Sequence, residues 1–257
     1  MRKNDMAVIS ALDIAVALVL LTRLPLPALP DHAFRRQAYA SWAFPLVGAL
    51  VAMIAGGIGW GAFRLGLPLA AAAGILLGVQ IILTGAMHED GLADSVDGLW
   101  GGFSRERRLE IMKDSAIGTY GVLALILSVG LRWVALTALI PLGIGAVLAA
   151  AILSRAVLPF IMTSLPAARN SGLSHSVGAP NTRASALALG IGVLLATSLL
   201  GAVIVLPMIL AFGAVFAFCR IAMSKIGGQT GDILGASQQI TEAVVLLALA
   251  ATIGQTL

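Results

Sequence analysis

Cysteine occurs once in the 257 residues, at Cys219, so an internal disulfide and a multi-thiolate metal site are both excluded. Charge is scarce, with 11% of residues Asp, Glu, Lys or Arg against roughly a quarter in an ordinary soluble domain. No segment repeats at a period of roughly 20–50 residues and no low-complexity tract interrupts the chain, which excludes solenoids and flexible linkers. What fills the sequence instead is apolar. With glycine counted in and tyrosine left out, about 70% of the chain is apolar against a usual 45–50%, and the mean hydropathy is +1.00. A soluble domain of this size cannot bury so much apolar surface. Disorder, a secreted disulfide scaffold and an ordinary cytosolic enzyme are ruled out, which leaves an integral membrane protein.

Lipid cannot satisfy backbone polar groups, so an open chain crosses it as helices of ~20 apolar residues. Seven stretches fit: 43–63, 68–87, 119–138, 142–165, 184–206, 207–222 and 241–257. The expectation is an all-α, multi-pass bundle in one membrane domain over 1–257. The first apolar run, 6–22, carries Asp13 and ends in Pro25 and Pro27; it reads as a helix lying in the membrane interface rather than an eighth span. Arg2 and Lys3 ahead of it give a signal-peptide look. Thr22-Arg23-Leu24-Pro25 offers no small-residue cleavage site, so the segment is expected to be retained.

The 16 basic residues exceed the 12 acidic ones, and their distribution fixes a topology. Thirteen fall on one side: Arg2, Lys3, Arg23, Arg35 and Arg36, then Arg105, Arg107, Arg108 and Lys113, then Arg169 and Arg183, and finally Arg220 and Lys225. Arg64 alone falls on the other. By the positive-inside rule the N-terminus is cytoplasmic, and the excess says nothing of nucleic acid, for which no partner role is expected. Each polar loop of any length (88–118, 166–183 and the glycine-rich 223–240) then faces the cytoplasm.

Seven of the twelve acids lie between residues 89 and 114. At about 100° per residue, a helix continuing from the second span would present Asp90, Asp94 and Asp97 within an arc of about 60°. Their neighbours are Leu, Ala, Val and Gly rather than bases, so three carboxylates would repel one another unless a divalent cation intervened. Mg²⁺ suits such oxygen ligands and leaves room for substrate phosphates. Glu106 and Glu110, set among Arg105, Arg107, Arg108 and Lys113 on a helix starting near Ser104, read instead as a solvated charged face. Asp114 fits either role. His88 projects about 160° from Asp90 and could serve proton transfer, a phosphate contact or an interfacial hydrogen bond.

Gly227-Gly228-Gln229-Thr230-Gly231-Asp232 has the backbone freedom of an anion-binding nest, although it lacks the Gly-Lys-Ser/Thr ending of a Walker loop. Together with the aspartates it suggests a phosphate cradle opposite a metal. Arg155, in the middle of a span, calls for a carboxylate or a substrate phosphate. Arg132, towards the outer end of its span beside Trp133, is expected to snorkel, and His175 to be a solvated loop residue.

Phe44-Pro-Leu-Val-Gly48, His88-Glu-Asp-Gly-Leu-Ala-Asp-Ser-Val-Asp-Gly98, Leu109-Glu-Ile-Met-Lys-Asp-Ser115, Gly118-Thr-Tyr-Gly121 and Gly227-Gly-Gln-Thr-Gly-Asp232 occur in a familiar order, after Leu21-Thr-Arg-Leu-Pro-Leu-Pro27. Over essentially its full length the chain resembles the cobalamin synthase (adenosylcobinamide-GDP ribazoletransferase) family. The resemblance implies a Mg²⁺-dependent enzyme of the bacterial inner membrane, its site facing the cytoplasm. Such an enzyme joins adenosylcobinamide-GDP to α-ribazole or its 5′-phosphate in late vitamin B12 synthesis and releases GMP. On that reading Asp90, Asp94 and Asp97 hold the metal, Asp94 and Asp97 are catalytic, and Asp97 is assigned as base. His88, Lys113, Asp114, Arg155 and the 227–232 loop bind substrate. Besides the lipid bilayer, neighbouring pathway enzymes and a second copy of the chain are left open as partners. A CDP-alcohol phosphotransferase is the alternative template, although no Ala-Arg pair follows Gly91. A divalent-cation transporter and a scaffold without chemistry are the alternatives of other classes.

Overall fold

The computed structural model of the chain describes residues 9–253, so Arg2, Lys3 and the last residues of the expected span 241–257 lie outside it. Every element of regular structure among the described residues is helical. Four short helices come first or lie in connections: α1 (Ala11–Leu21), α2 (Asp31–Phe34), α3 (Gln37–Ala40) and, later, α10 (Leu173–Val177). The remainder are α4 (Phe44–Arg64), α5 (Leu69–Thr84), α6 (Met87–Gly101), α7 (Arg105–Ile111), α8 (Thr119–Leu139), α9 (Gly145–Ser164), α11 (Thr182–Leu200), α12 (Val205–Ile226) and α13 (Gly231–Ile253).

Five continuous helical stretches are long and apolar enough to cross a membrane: Gln37–Arg64, Thr119–Leu142, Gly145–Ser164, Thr182–Ile226 and Gly231–Ile253. The bent pair α5–α6 makes a sixth if taken as one. Thr182–Ile226 has 45 residues, about 68 Å if straight, more than twice the depth of a hydrocarbon core. It is not straight. At Gly201 the backbone turns through φ +63°. Leu200 lies against Gly145 at the start of α9, and the Thr163 hydroxyl near the end of α9 reaches the Pro180 carbonyl, so α11 runs antiparallel to α9. Leu153 of α9, Leu189 of α11 and Met208 of α12 then wall one cavity, which places α12 beside both.

The packing is that of a membrane bundle. Large apolar side chains such as Leu123, Ile126 and Leu127 of α8 and Ile209, Phe212 and Phe216 of α12 are exposed, whereas α9 is buried along most of its length, with Ala149, Ala150 and Ala151 fully covered. Helices approach closely where residues are small: a Cβ on Gly48 would fall 2.3 Å from the Ala151 carbonyl, and one on Gly192 2.5 Å from the Ala156 Cβ. Against this centre pack α4, α11 and α13, and α8 and α12 pack in turn on α13.

At 11 residues, about 16 Å, α1 is too short to cross. Its Asp13 is buried and accepts hydrogen bonds from Arg36 Nε (2.8 Å) and Trp42 Nε1 (2.9 Å), which fastens the helix to the segment leading into α4.

Candidate active site

The acidic segment begins at a break. Gly85 and Ala86 both adopt left-handed backbone angles (φ +65° and +57°), and the chain turns by 86° between apolar α5 and acidic α6. An alanine there carries a cost of about 1–2 kcal/mol, which the surrounding packing must offset. Past the break, α6 packs on the start of α13 glycine to glycine: a Cβ on Gly91 would stand 2.9 Å from the Asp232 carbonyl oxygen and 3.1 Å from the Gly235 Cα. We expect Gly91→Ala to force these helices apart, with a stability loss of about 1–3 kcal/mol and a larger loss of turnover. Gly57→Ala, whose new methyl meets nothing within 4 Å, serves as the control in melting and activity assays.

This contact brings carboxylates of two helices together. Asp90 is exposed, Asp94 half-buried, and Asp232 sits in the first turn of α13. The acidic helix α6 is not one of the apolar stretches. Its Asp94 carboxyl is pushed up to about 7 by burial and by the nearby charges of Asp90, Asp232 and Asp97, with Arg169 opposing them. The residue missing from the sequence reading is Arg169. Its Nη2 lies 3.2 Å from Asp232 Oδ2, while its Nη1 is buried without a hydrogen-bond partner. In sequence it is one more basic residue of a positive loop; only the fold carries it to the cluster.

Asp97 is accounted for differently than expected. It is buried, and its two oxygens accept the amides of Gly118 (2.7 Å) and Gly121 (2.9 Å). It thus caps the first turn of α8 from another helix, satisfying donors that a helix start leaves orphaned. Gly118-Thr-Tyr-Gly121 becomes intelligible at the same point, since a Cβ on either glycine would fall within 2.5 Å of this carboxylate. Each oxygen of this carboxylate accepts one backbone amide, which gives Asp97 a structural part in holding α8. Asp97→Asn is therefore expected to cost about 1–2 kcal/mol of stability but several-fold less activity than the same change at Asp94, as read from turnover and melting of the two purified variants.

The glycine-rich loop is shorter than 223–240, because α12 ends at Ile226 and α13 starts at Gly231. Gly227 ends α12 in the left-handed region (φ +76°), and Gly228 sits where a Cβ would collide with the Pro166 carbonyl at 2.1 Å. The Gln229 amide donates to Pro166 O (2.8 Å), and the Gln229 carbonyl accepts from Ala168 N (2.8 Å). Thr230 caps α13 through the Ile233 amide (3.3 Å) and also donates to Asp232 Oδ2 (3.1 Å). The loop is a pinned connection that sets Asp232 and Arg169 in place, and its Gln229 amide is not available to an anion.

Other expected site residues lie elsewhere. Arg155 is buried and ion-paired with Glu242, so a carboxylate rather than a phosphate satisfies it. Arg132 does not snorkel: fully buried, it meets Glu89 Oε1 at 3.1 Å and Glu242 Oε1 at 3.6 Å. Gln238 donates to Glu242 (2.6 Å) and Gln239 to Glu89 (3.0 Å), closing a polar network inside the bundle. Lys113 and Asp114 lie exposed after α7, Asp114 accepting from the Ala116 amide at 3.2 Å, and neither is among the charges acting on Asp94. Of the expected basic-acidic face, Arg107 does pair with Glu110 (2.7 Å). Arg105 and Arg108 instead donate to the carbonyls of Ile226 (2.9 Å) and Lys225 (3.0 Å) and cap α12. His88 is buried, and neither ring nitrogen has a partner.

Carboxylate oxygens are the donors a hard divalent cation prefers, so the cluster suits Mg²⁺ chemically. Among the described residues no three acidic, His or Cys side chains converge closely enough to grip an ion unaided. Mg²⁺ sites commonly take one or two carboxylates and complete themselves with substrate phosphates.

A helical membrane bundle that gathers carboxylates from two helices around a guanidinium with one nitrogen still unpartnered has the groups a membrane enzyme would use on a phosphorylated substrate. The family described as Cobalamin-5-phosphate synthase matches residues 13–250, and the chain belongs to that family. Its relatives include the adenosylcobinamide-GDP ribazoletransferases of Bradyrhizobium diazoefficiens, 46% identical over 244 residues and 93% of each chain, and of Sinorhizobium medicae, 46% identical over 259 residues, 94% of this chain and 97% of its own. The Rhizobium meliloti enzyme of the same name is 46% identical over 256 residues, 94% of this chain and 97% of its own. No solved structure matches the chain. The chain is thus a transferase of late cobalamin synthesis, and the transporter, scaffold and CDP-alcohol readings give way.

Proposed function

We propose that the chain transfers the adenosylcobinamide-phosphate group of adenosylcobinamide-GDP to a ribose hydroxyl of α-ribazole or its 5′-phosphate and releases GMP. The hydroxyl oxygen attacks the phosphorus that carries the corrinoid, and the bond from that phosphorus to the bridging diphosphate oxygen breaks. One or two carboxylates drawn from Asp90, Asp94 and Asp232, completed by the substrate diphosphate, would hold Mg²⁺, which when bound neutralises the diphosphate and the charge that develops on departing GMP. The observation that carries the reading is Arg169, with one guanidinium nitrogen on Asp232 and the other buried without a partner. A phosphate oxygen beside the cluster supplies that partner, and bidentate geometry suits Arg to the task. With little covalent work for the protein to do, rate comes from position and electrostatics.

We take α4, α5, α8, α9, α11, α12 and α13 as seven crossings; the thirteen-to-one division of basic residues then supports a cytoplasmic N-terminus, with the carboxylate cluster facing the cytoplasm in the bacterial inner membrane. The test is GMP release by the detergent-solubilised protein. Release is expected only with both substrates and Mg²⁺ present and is expected to stop with EDTA; release without α-ribazole or its phosphate contradicts the assignment.

Because Asp94 is held near 7 without metal, it must lose a proton before it can ligate. Mg²⁺ affinity is expected to be full above about pH 8 and to fall by up to about tenfold per pH unit below 7. Titration calorimetry in buffers of different ionisation enthalpy would show proton release on binding at pH 7. An affinity constant between pH 5.5 and 8 would contradict the placement of Asp94.

A further inference from the structure

Beside the carboxylate cluster, six helices (α1, α4, α6, α9, α10 and α13) close around an apolar pocket holding about 510 Å³ of space, its mouth and the open solvent there included. Leu21, Phe44, Met162, Val177 and Leu234 wall it, and His88 stands among them. The imidazole is buried, with both nitrogens unpartnered, although a neutral ring carries one donor and one acceptor. Ser174 is the other polar side chain of the wall, and its hydroxyl is already spent on Gln229 Oε1 at 2.6 Å. The pocket and the cluster share two helices: His88 precedes Asp90 on α6, and Gly231 in the pocket wall adjoins Asp232 on α13.

We infer that this pocket takes the planar aromatic base of the ribazole, with His88 donating its ring N–H to the one unsubstituted nitrogen of that base. The inference rests on the transfer reaction proposed above and assigns its acceptor substrate to a place. A dimethylated benzimidazole is apolar except for that nitrogen and matches a wall with a single unspent polar group. Guanine, the other aromatic base in the reaction, has polar atoms along several edges and would leave most of them unpaired here. The corrin ring is far too large. A base seated in the pocket leaves its ribose outside, next to the helices that bear the carboxylates.

The experiment is calorimetric binding to the full-length protein in detergent. The probes are α-ribazole, an analogue whose unsubstituted ring nitrogen is replaced by C–H, GMP and adenosylcobinamide-GDP. The wild type is expected to bind α-ribazole about tenfold more tightly than the analogue, the loss of one buried hydrogen bond. His88→Leu is expected to bind α-ribazole and the analogue equally, while adenosylcobinamide-GDP and GMP bind as before. Equal binding of α-ribazole and its analogue by the wild type overturns the inference, and needs no variant that might misfold. A fall in GMP binding in His88→Leu overturns it too, by placing guanine in the pocket. GMP release in the presence of both substrates separates the two levels: if it proceeds normally while these binding results fail, the transfer reaction stands and the base lies elsewhere. If the wild type neither releases GMP nor binds α-ribazole, the transfer reaction itself falls.

Discussion

Asp94→Asn is expected to lower GMP release at least about a hundredfold, because removing one preorganised charge that acts on a transferring group costs about 3 kcal/mol or more. Asp94 stands where the charges of α6 and α13 meet, with Asp90 and Asp97 on its own helix and Asp232 and Arg169 opposite. The amide keeps the shape and removes the charge. Folding should not suffer, since a carboxyl that its surroundings push up to about 7 is being relieved of repulsion. The variant should therefore melt at or above the wild-type temperature while losing its turnover. A variant that unfolds, or one that keeps more than about a tenth of the wild-type rate, contradicts the assignment.

The second large effect belongs to the polar network inside the bundle. Glu242 on α13 stands between Arg155 of α9 and Arg132 of α8, and Glu89 at the start of α6 completes the set. Two arginines and two glutamates, all buried, balance as long as each remains. Glu242→Ala leaves two guanidinium groups facing each other without their shared carboxylate, and breaking a buried ion pair typically costs about 3–5 kcal/mol. Folded protein recovered from detergent after graded heating should fall sharply for this variant. The double variant Arg155→Met with Glu242→Met should recover much of the loss, because it removes charges in a matched pair. A single variant as stable as the wild type would show that the network does not hold α6 and α13 together.

Much of the fold was legible because lipid leaves so few choices. The expected spans 43–63, 119–138 and 142–165 coincide with α4, α8 and α9 to within a few residues. α13 was not legible. It begins ten residues before the expected 241, because Ser237, Gln238 and Gln239 look like loop by hydropathy and are in fact buried against other helices. A hydropathy count measures the cost of facing lipid, and those residues face protein. The same blindness misplaced Arg132: an arginine near a span end reads as snorkelling unless its partner, 110 residues away at Glu242, is known.

The site was half legible for a related reason. Helical spacing placed Asp90, Asp94 and Asp97 on one stripe, and α6 is indeed a helix. Spacing cannot say that the stripe turns inward along its length, from exposed Asp90 to buried Asp97, where the start of α8 claims the last carboxylate. Nor can it pair Asp232 with Arg169, which meet only because the 166–168 backbone is pinned to Gln229.

The central claim is that α6 and α13 together hold a divalent cation, and Mn²⁺ binding followed by electron paramagnetic resonance tests it most directly. With adenosylcobinamide-GDP present to complete the site, the purified protein is expected to take up Mn²⁺ that Mg²⁺ displaces, and Asp94→Asn and Asp232→Asn should each weaken that uptake at least about tenfold, whereas Asp97→Asn should leave it nearly unchanged. Uptake that depends on Asp97 but not on Asp232 would contradict the account.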